Sequence, residues 1–277
     1  MNSFAILIPN YNGASFIAET VGKFASGFPG AQIVVVDDVS TDDSLSKLSE
    51  TMARVLVREK NGGFAAAVNT GLRFLDKEGF DNVLLVNSDV VVDDLKCVEI
   101  AAALATLSSG SNVAVLGFLE ESVMSSTPHQ GSNICGFLFA LRLDTIQAVG
   151  YLDESFFMYG EEQDYFRRVL AAGLVIRQTE IRVRHLVEGS GSSNLRNSWL
   201  AIRNSLYLET KRAALWGFCR KAGVLFLLIN RLYRPRTGED PSLKRLLRPG
   251  IILGNLFLLW AICWNAVKLL RMLVHGK

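Results

Sequence analysis

The chain has 277 residues, 49% of them hydrophobic, and a formal net charge of +2. That length is long for one small domain, and the apolar content is enough to bury a full core. The small net charge hides a division. Residues 1–210 hold 16 Lys and Arg against 25 Asp and Glu, a net −9, whereas residues 211–277 hold 13 against two, a net +11. An acidic body speaks against a nucleic-acid binder, and the tail's cations accompany apolar runs rather than a stacking surface. Such a tail suits attachment to an anionic membrane. The four scattered cysteines 97, 135, 219 and 263 form no CxxC pair and suggest no disulfide framework, which fits a reducing cytoplasm. No signal peptide is expected, because the chain enters a strand at Phe4 without a basic leader.

Phe4 to Ile8 is an apolar run stopped by Pro9, as a buried parallel strand requires. The turn Asn10-Tyr11-Asn12-Gly13 leads into helical spacing at Phe16, Ile17, Val21 and Phe24, closing near Gly27 to Gly30. Ile33 to Val36 predicts a second strand that ends in Asp37-Asp38, and Ser40 to Ser44 offers N-caps for a helix carrying Leu45 and Leu48. Val55 to Val57 predicts a third strand, Gly63 to Leu75 a helix, and Val83 to Val86 a fourth strand. This alternation predicts an α/β fold with an open, mostly parallel sheet, which binds ligands beyond the carboxyl ends of its strands. Asn10 and Asn12, Asp37 and Asp38, Asn61, and Asn87 and Asp89 all fall at those ends. Each cluster alone reads equally as turn chemistry; four on one sheet edge point to a ligand site. The absence of GxGxxG after the first strand argues against a dinucleotide-binding oxidoreductase, and no Gly-rich, Lys/Arg-bearing loop is present for a nucleotidylyltransferase's triphosphate.

Asp89, in Asn87-Ser88-Asp89, follows four apolar strand residues and so emerges into the cleft. A carboxylate there suits a hard divalent cation that neutralises a diphosphate. In Ile181-Arg182-Val183-Arg184-His185, strand alternation puts Ile181, Val183 and His185 on one face. An inward histidine is either a satisfied core residue or a second ligand. The run Phe156 to Tyr165 sets aromatics beside Glu161, Glu162 and Asp164, in the first turn of a helix expected from about Glu161 to Ala171. Those acids are either N-terminal caps or a site with one carboxylate as general base. Glu161 and Asp164 share a helix face, and Glu162 points about 100° away from Glu161.

Six ordered motifs together resemble glycosyltransferase family 2, of GT-A fold, and its rhamnosyltransferase-like branch. They are Ile-Pro-Asn-Tyr-Asn (8–12), Val-Val-Asp-Asp-Val-Ser-Thr-Asp-Asp-Ser (35–44), Asn-Gly-Gly-Phe-Ala-Ala-Ala-Val-Asn-Thr-Gly (61–71), Asn-Ser-Asp (87–89), the segment 150–164, and His185 before a Gly/Ser stretch. The resemblance covers roughly residues 3–210, taken as the catalytic domain, with 211–277 as a helical tail. It implies that Pro9, Tyr11 and Asn12 border the nucleotide base and that Asp37 bonds its edge. Asn61, Phe64 and Asn69 would line the diphosphate pocket, with Asp38, Asn87 and Ser88 also on the nucleotide-sugar side. Asp89 becomes the metal acid, His185 its second ligand, and Mg²⁺ or Mn²⁺ the cofactor. Gly136 and its neighbours would form the acceptor-side strand. Glu162 takes the catalytic-base position, with Glu161 and Asp164 beside it.

Two departures stand out. Glu161-Glu162 replaces the family's Glu-Asp, and Asp37-Asp38 replaces the branch's commoner Asp-Asn. The implied activity is inverting transfer of a sugar, rhamnose in that branch, from a nucleoside-diphosphate-sugar to a saccharide or lipid-linked acceptor in cell-surface polysaccharide synthesis. A non-catalytic nucleotide-sugar-binding protein on the same scaffold is the alternative.

The tail has two apolar stretches. Trp216 to Tyr233 interleaves apolar residues with Arg220, Lys221 and Arg231, continuing to Arg234 and Arg236, as a helix in the membrane interface does. Pro249 to Val267 lacks charge over a length that can span a bilayer, though Pro249, Gly250, Gly254, Asn255 and Asn265 weaken a spanning helix. Peripheral attachment at the cytoplasmic face of the cell membrane is favoured, with one inserted C-terminal helix, or a helical appendage packed on the catalytic domain or on a second subunit of a homo-oligomer, as the other readings.

Overall fold

A computed structural model describes residues 3–107, 111–121, 136–186, 195–212, 215–232 and 249–275. The Gly/Ser stretch after His185, Cys135, Tyr233, Arg234, Arg236 and Arg248 lie outside them. The chain forms two compact units, Met1–Ser192 and Ser193–Lys277.

In the first unit the strands are β1 (Phe4–Asn10), β2 (Gln32–Asp37), β3 (Arg54–Val57), β4 (Asn82–Val86), β5 (Val90–Val91), β6 (Val113–Glu120), β7 (Leu138–Arg142) and β8 (Val175–His185). Its helices are α1 (Ile17–Gly27), α2 (Ser44–Leu48), α3 (Gly63–Lys77), α4 (Asp94–Leu104), α5 (Thr145–Val149) and α6 (Glu161–Ala171). The strands form one eight-stranded sheet in the order β3-β2-β1-β4-β7-β6-β8-β5. β1 to β4 are parallel, as are β6 and β8, while β7 runs against β4 and β6, and β5 against β8. Six of the eight strands therefore point one way, which is the mostly parallel α/β sheet that the alternation predicted.

Parity along the strands builds two cores. Ile6, Ile8, Ile33, Val35, Leu84 and Val86 face one layer, packing against Phe24 of α1 and Ile100 of α4. Ala5, Leu7, Val34, Val36, Val83 and Leu85 face the other, against Leu72 of α3 and Phe166 of α6. Both faces are covered, so the central strands read as unbroken apolar runs, and each fully buried Val, Leu or Phe contributes about 1.5–3 kcal/mol. The first polar residue after each run is the point where a strand leaves the core, and those exits make the rim of the site.

The second unit contains α7 (Leu195–Thr210), α8 (Leu215–Leu232) and α9 (Pro249–His275). The compact units divide at 192/193. Helix α7, placed in the catalytic body by the extent of the resemblance, clusters with the tail helices, sharing a small core of Leu206, Phe218, Ile229, Leu258 and Ala261.

Candidate active site

At the end of β4 the backbone N–H of Asn87 donates to the Phe137 carbonyl at 2.8 Å, which extends the β4–β7 ladder by one bond. Two residues on, Asp89 enters β5, whose short pairing sets Val90 opposite His185. Leu186 N–H also donates to the Asp89 carbonyl at 3.1 Å. The two side chains meet as a result: His185 Nε2 lies 3.0 Å from Asp89 Oδ1, with 15% and 8% of the side chains exposed. The imidazole stacks on the Phe137 ring at 5.0 Å between centroids and 17° between planes. His185 is thus neither a solvent-facing residue nor an apolar core histidine. A carboxylate and an imidazole brought together at a partly open edge form a donor set that suits Mg²⁺ or Mn²⁺. The Asn87 amide oxygen, two residues away, is buried without a hydrogen-bond partner. Among the described residues no cluster of three or more His, Cys, Asp or Glu makes a metal cage.

The residue before Phe137, Gly136, approaches the acids. A β-carbon on Gly136 would stand 3.0 Å from Glu162 Cγ and 3.2 Å from its Cδ. Gly136 precedes β7 rather than lying within a strand. One dipeptide therefore separates the Asp89–His185 pair from Glu162. Glu162 accepts a hydrogen bond from Gly160 N–H at 3.2 Å through Oε2. Glu161 is more deeply buried, and its Oε2 has no partner.

A helix N-terminus favours ionised carboxylates, but only by about 0.3–1 kcal/mol, whereas burial shifts a carboxyl by up to several pKa units. Burial wins here. It raises Glu161 well above the usual carboxylate range, with the Glu162 charge adding to the rise, and it raises Glu162 as well. Burial and the Glu161 charge also push the Tyr159 phenol up. Asp164 is placed differently. It pairs with Arg168 at 3.0 Å, one helical turn on, and Arg168 in turn donates to the Val149 and Tyr151 carbonyls. That arrangement anchors α6 to the segment before it.

The nucleotide-side residues form a second ring of contacts. Asp37 is fully buried, taking Asn10 Nδ2 at 2.8 Å and Ser40 Oγ at 2.6 Å on Oδ2, and Ser40 N–H at 2.8 Å on Oδ1. Asp38 accepts from Arg58 and from the backbone N–H groups of Gly62 and Gly63, the latter at 2.7 Å. Both carboxylates organise the rim in this state. Between Asp38 and Ser40, Val39 sits at φ 66°, which costs a β-branched residue about 1–3 kcal/mol of strain. Asn12, exposed at φ 53°, accepts Thr41 N–H at 2.7 Å. Pro9 is buried in β1 opposite Val36, Tyr11 is half-buried on the turn after it, and Phe64 is half-buried in the first turn of α3. The amide oxygens of Asn10 and Asn61 are buried without partners. Ser88 takes the Thr20 hydroxyl on its carbonyl at 2.6 Å, tying α1 to the end of β4.

Asn69 is buried within α3. Its side chain bonds Leu152 O at 2.9 Å, Glu154 Oε1 at 2.9 Å and Leu152 N–H at 3.0 Å. Gly63, at φ 81°, leaves room for the Phe157 carbonyl, which a β-carbon would strike. These two contacts fasten the strap ahead of α6 to α3. Phe137, Arg58 and Arg168 were not found from the sequence, although the Asp164–Arg168 spacing of four was a readable signal.

The sheet order and the paired acid and histidine at its edge define a GT-A-type nucleotide-sugar fold. The profile of Glycosyl transferase family 2 matches residues 5–159, more than half of the chain, and the protein belongs to that family. Low-salt glycan biosynthesis hexosyltransferase Agl10 of Haloferax volcanii is 22% identical over 209 residues, 65% of this chain. This chain spans 66% of that relative's length. The mannosyltransferase PcManGT of Pyrobaculum calidifontis, solved with GDP-Man and Mn²⁺, superposes with a TM-score of 0.57 at 14% identity, covering 99% of this chain and 76% of that one. Glucosyl-3-phosphoglycerate synthase of Mycobacterium tuberculosis, solved with Mn²⁺, UDP and glucosyl-3-phosphoglycerate, gives 0.54 at 17% identity over 76% and 80% of the two chains.

Proposed function

We propose that this protein is an inverting glycosyltransferase that moves a hexosyl group from a nucleoside-diphosphate-sugar to an acceptor hydroxyl. One observation supports the reading: adjacent residues of one turn meet the two centres, Phe137 stacking on His185 of the Asp89–His185 pair and Gly136 approaching Glu162. Partners for a leaving group and for an attacking group are thus tied to one dipeptide.

Glu162 takes the proton from the acceptor hydroxyl as its oxygen bonds to the anomeric carbon. The bond from that carbon to the diphosphate oxygen breaks, and the nucleoside diphosphate departs with the electron pair. One displacement inverts the anomeric centre, with no covalent sugar–enzyme intermediate. Burial raises the pKa of the Glu162 carboxyl and so makes it a stronger proton acceptor than an exposed carboxylate. Asp89 and His185 would hold a divalent cation, which supplies positive charge opposite the departing diphosphate. Asp37 and Asp38 act by shaping the β1, β2 and α3 turns around the base and diphosphate, together with Pro9, Tyr11, Asn12, Asn61, Phe64, Asn87 and Ser88. Asn69 and Asp164 position the strap and helix that carry Glu162.

The body of about residues 1–210 is the catalytic part. The tail brings it to the cytoplasmic face of the cell membrane, where a saccharide or lipid-linked acceptor for cell-surface polysaccharide is met. The decisive experiment is a donor screen, beginning with rhamnose nucleotides, that reads nucleoside diphosphate release with and without EDTA. Release that requires acceptor and is lost in EDTA supports the proposal. Tight donor binding with no release under any acceptor would favour a non-catalytic binding protein instead.

A further inference from the structure

Helix α9 inverts the usual polarity of a surface helix. Its exposed positions Ile252, Leu256, Leu259, Cys263, Val267 and Leu270 recur in steps of three, four or seven and are all apolar. Its buried side holds Leu258, Ala261 and Leu269, but also Asn265, whose Nδ2 donates to the Arg203 carbonyl at 3.0 Å. A helix in water turns its polar residues outward; this one turns Asn265 inward and presents hydrocarbon. Helix α8 does much the same, exposing Trp216, Val224, Phe226 and Leu227, with Trp216 76% exposed.

Length and composition alone would let Ile252–Leu270 cross a bilayer, and among the described residues it is the one helix that passes that test. Its neighbour speaks against crossing. Helix α7 runs parallel beside it: Trp199 meets Trp260 at 4.4 Å, the Arg203 guanidinium lies 4.6 Å from the Trp264 ring centre, and Tyr207 receives the Lys268 ammonium at 4.1 Å. If α9 spanned, the Arg203 charge would be carried toward mid-bilayer, where a charge costs several kcal/mol, with the polar Asn204 beside it. Helix α8 cannot complete a spanning hairpin either. Its charge-free run, residues 222–230, covers roughly 13 Å at 1.5 Å per residue, under half of a hydrocarbon core of about 30 Å.

The geometry points to α8 and α9 as a docking surface that lies in the plane of an anionic lipid bilayer, with α7 as its support on the other side. Charge selects this occupant. Together α8 and α9 carry five Lys and Arg and no Asp or Glu, so a second copy of the same face would be repelled while anionic headgroups attract it. Exposed Trp216 and Trp260 are the residue type that settles at headgroup depth. This deepens the membrane reading above and is independent of the donor chemistry.

Cys263 provides the test, because it lies near the middle of the candidate span and is exposed. The full chain, with Cys97, Cys135 and Cys219 replaced by Ala, is labelled at Cys263 with an environment-sensitive fluorophore. It is then reconstituted with vesicles of phosphatidylcholine and phosphatidylglycerol containing brominated lipids. In-plane docking predicts quenching by shallow bromines above deep ones, and flotation that falls when phosphatidylglycerol is omitted. Deep quenching would overturn the proposal in favour of a spanning helix. In parallel, unlabelled Leu256→Glu/Leu270→Glu should float at least roughly tenfold less than the unsubstituted chain, and equal flotation would remove this face as the docking surface. If the unsubstituted chain binds no vesicles and light scattering shows a dimer that the double variant loses, the occupant is a second copy and the membrane reading fails as well. None of these outcomes touches the sugar-transfer assay, which fails or succeeds separately.

Discussion

His185 Nε2 approaches Asp89 Oδ1 to 3.0 Å because the residue after Asp89, Val90, pairs with His185 across β5 and β8. A strand of two residues thereby joins positions 96 apart in the chain. If the pair holds a divalent cation, Asp89→Ala and His185→Ala should each weaken Mn²⁺ binding in the presence of a nucleoside diphosphate, measured by calorimetry. Turnover should fall by on the order of 10²-fold. Cation affinity that is unchanged in both variants would refute the assignment.

Glu162→Gln keeps the side chain's size and removes its basicity. Transfer should fall by about 10²–10⁴-fold, while donor binding by fluorescence titration stays near that of the unsubstituted protein. Turnover close to the original rate would move the base elsewhere.

Glu161 makes a prediction about stability. Burial raises its folded-state pKa above the unfolded value, so between those two values the native state holds more protons than the unfolded state. Stability is therefore full below the ordinary carboxylate pKa and declines as pH rises from there through the raised value. Glu161→Gln should flatten that decline. Thermal melts from pH 4 to 8 should show a Tm that falls with pH in the parent and falls less in the variant; parallel curves would contradict it.

Asn69→Ala removes three hydrogen bonds that hold Leu152 and Glu154 against α3. With the Leu152 backbone groups left buried, the cost should be about 1–3 kcal/mol, read by chemical denaturation. Turnover should fall more than donor affinity, since the strap leads into α6.

The strand ends were legible because polar residues directly follow buried apolar runs, as at Asn10, Asp37 and Asn87. Periodicity could not show β5, which is too short to have a period, nor the direction of β7, which no residue pattern encodes. The uses of Asp37 and Asp38 were hidden for another reason. A carboxylate that grips its own turns has the same sequence signature as one that grips a ligand. Asn69 left a clue unused: an Asn inside a long helix goes against its intrinsic preference, and here a buried partner explains it. Residues 195–210 were placed in the body by the extent of the resemblance, yet in α7 Arg203 and Asn204 turn inward, toward each other and toward Trp199 and Trp264.

Gly136→Ala should lower turnover while leaving the donor KM unchanged, because the added methyl would press on Glu162 at 3.0–3.5 Å. Equal turnover would show that the acid can swing clear.

That same contact is a limit on packing. Glycine at 136 leaves the room in which the Glu162 stem stands, with Cγ, Cδ and Cβ all within 3.0–3.5 Å of where a β-carbon would be. An Asp at 162 would keep its own Cβ and Cγ there, so shortening the acid would not make space for a side chain at 136. The missing side chain in one turn thus fixes where the carboxylate of the helix beside it can stand.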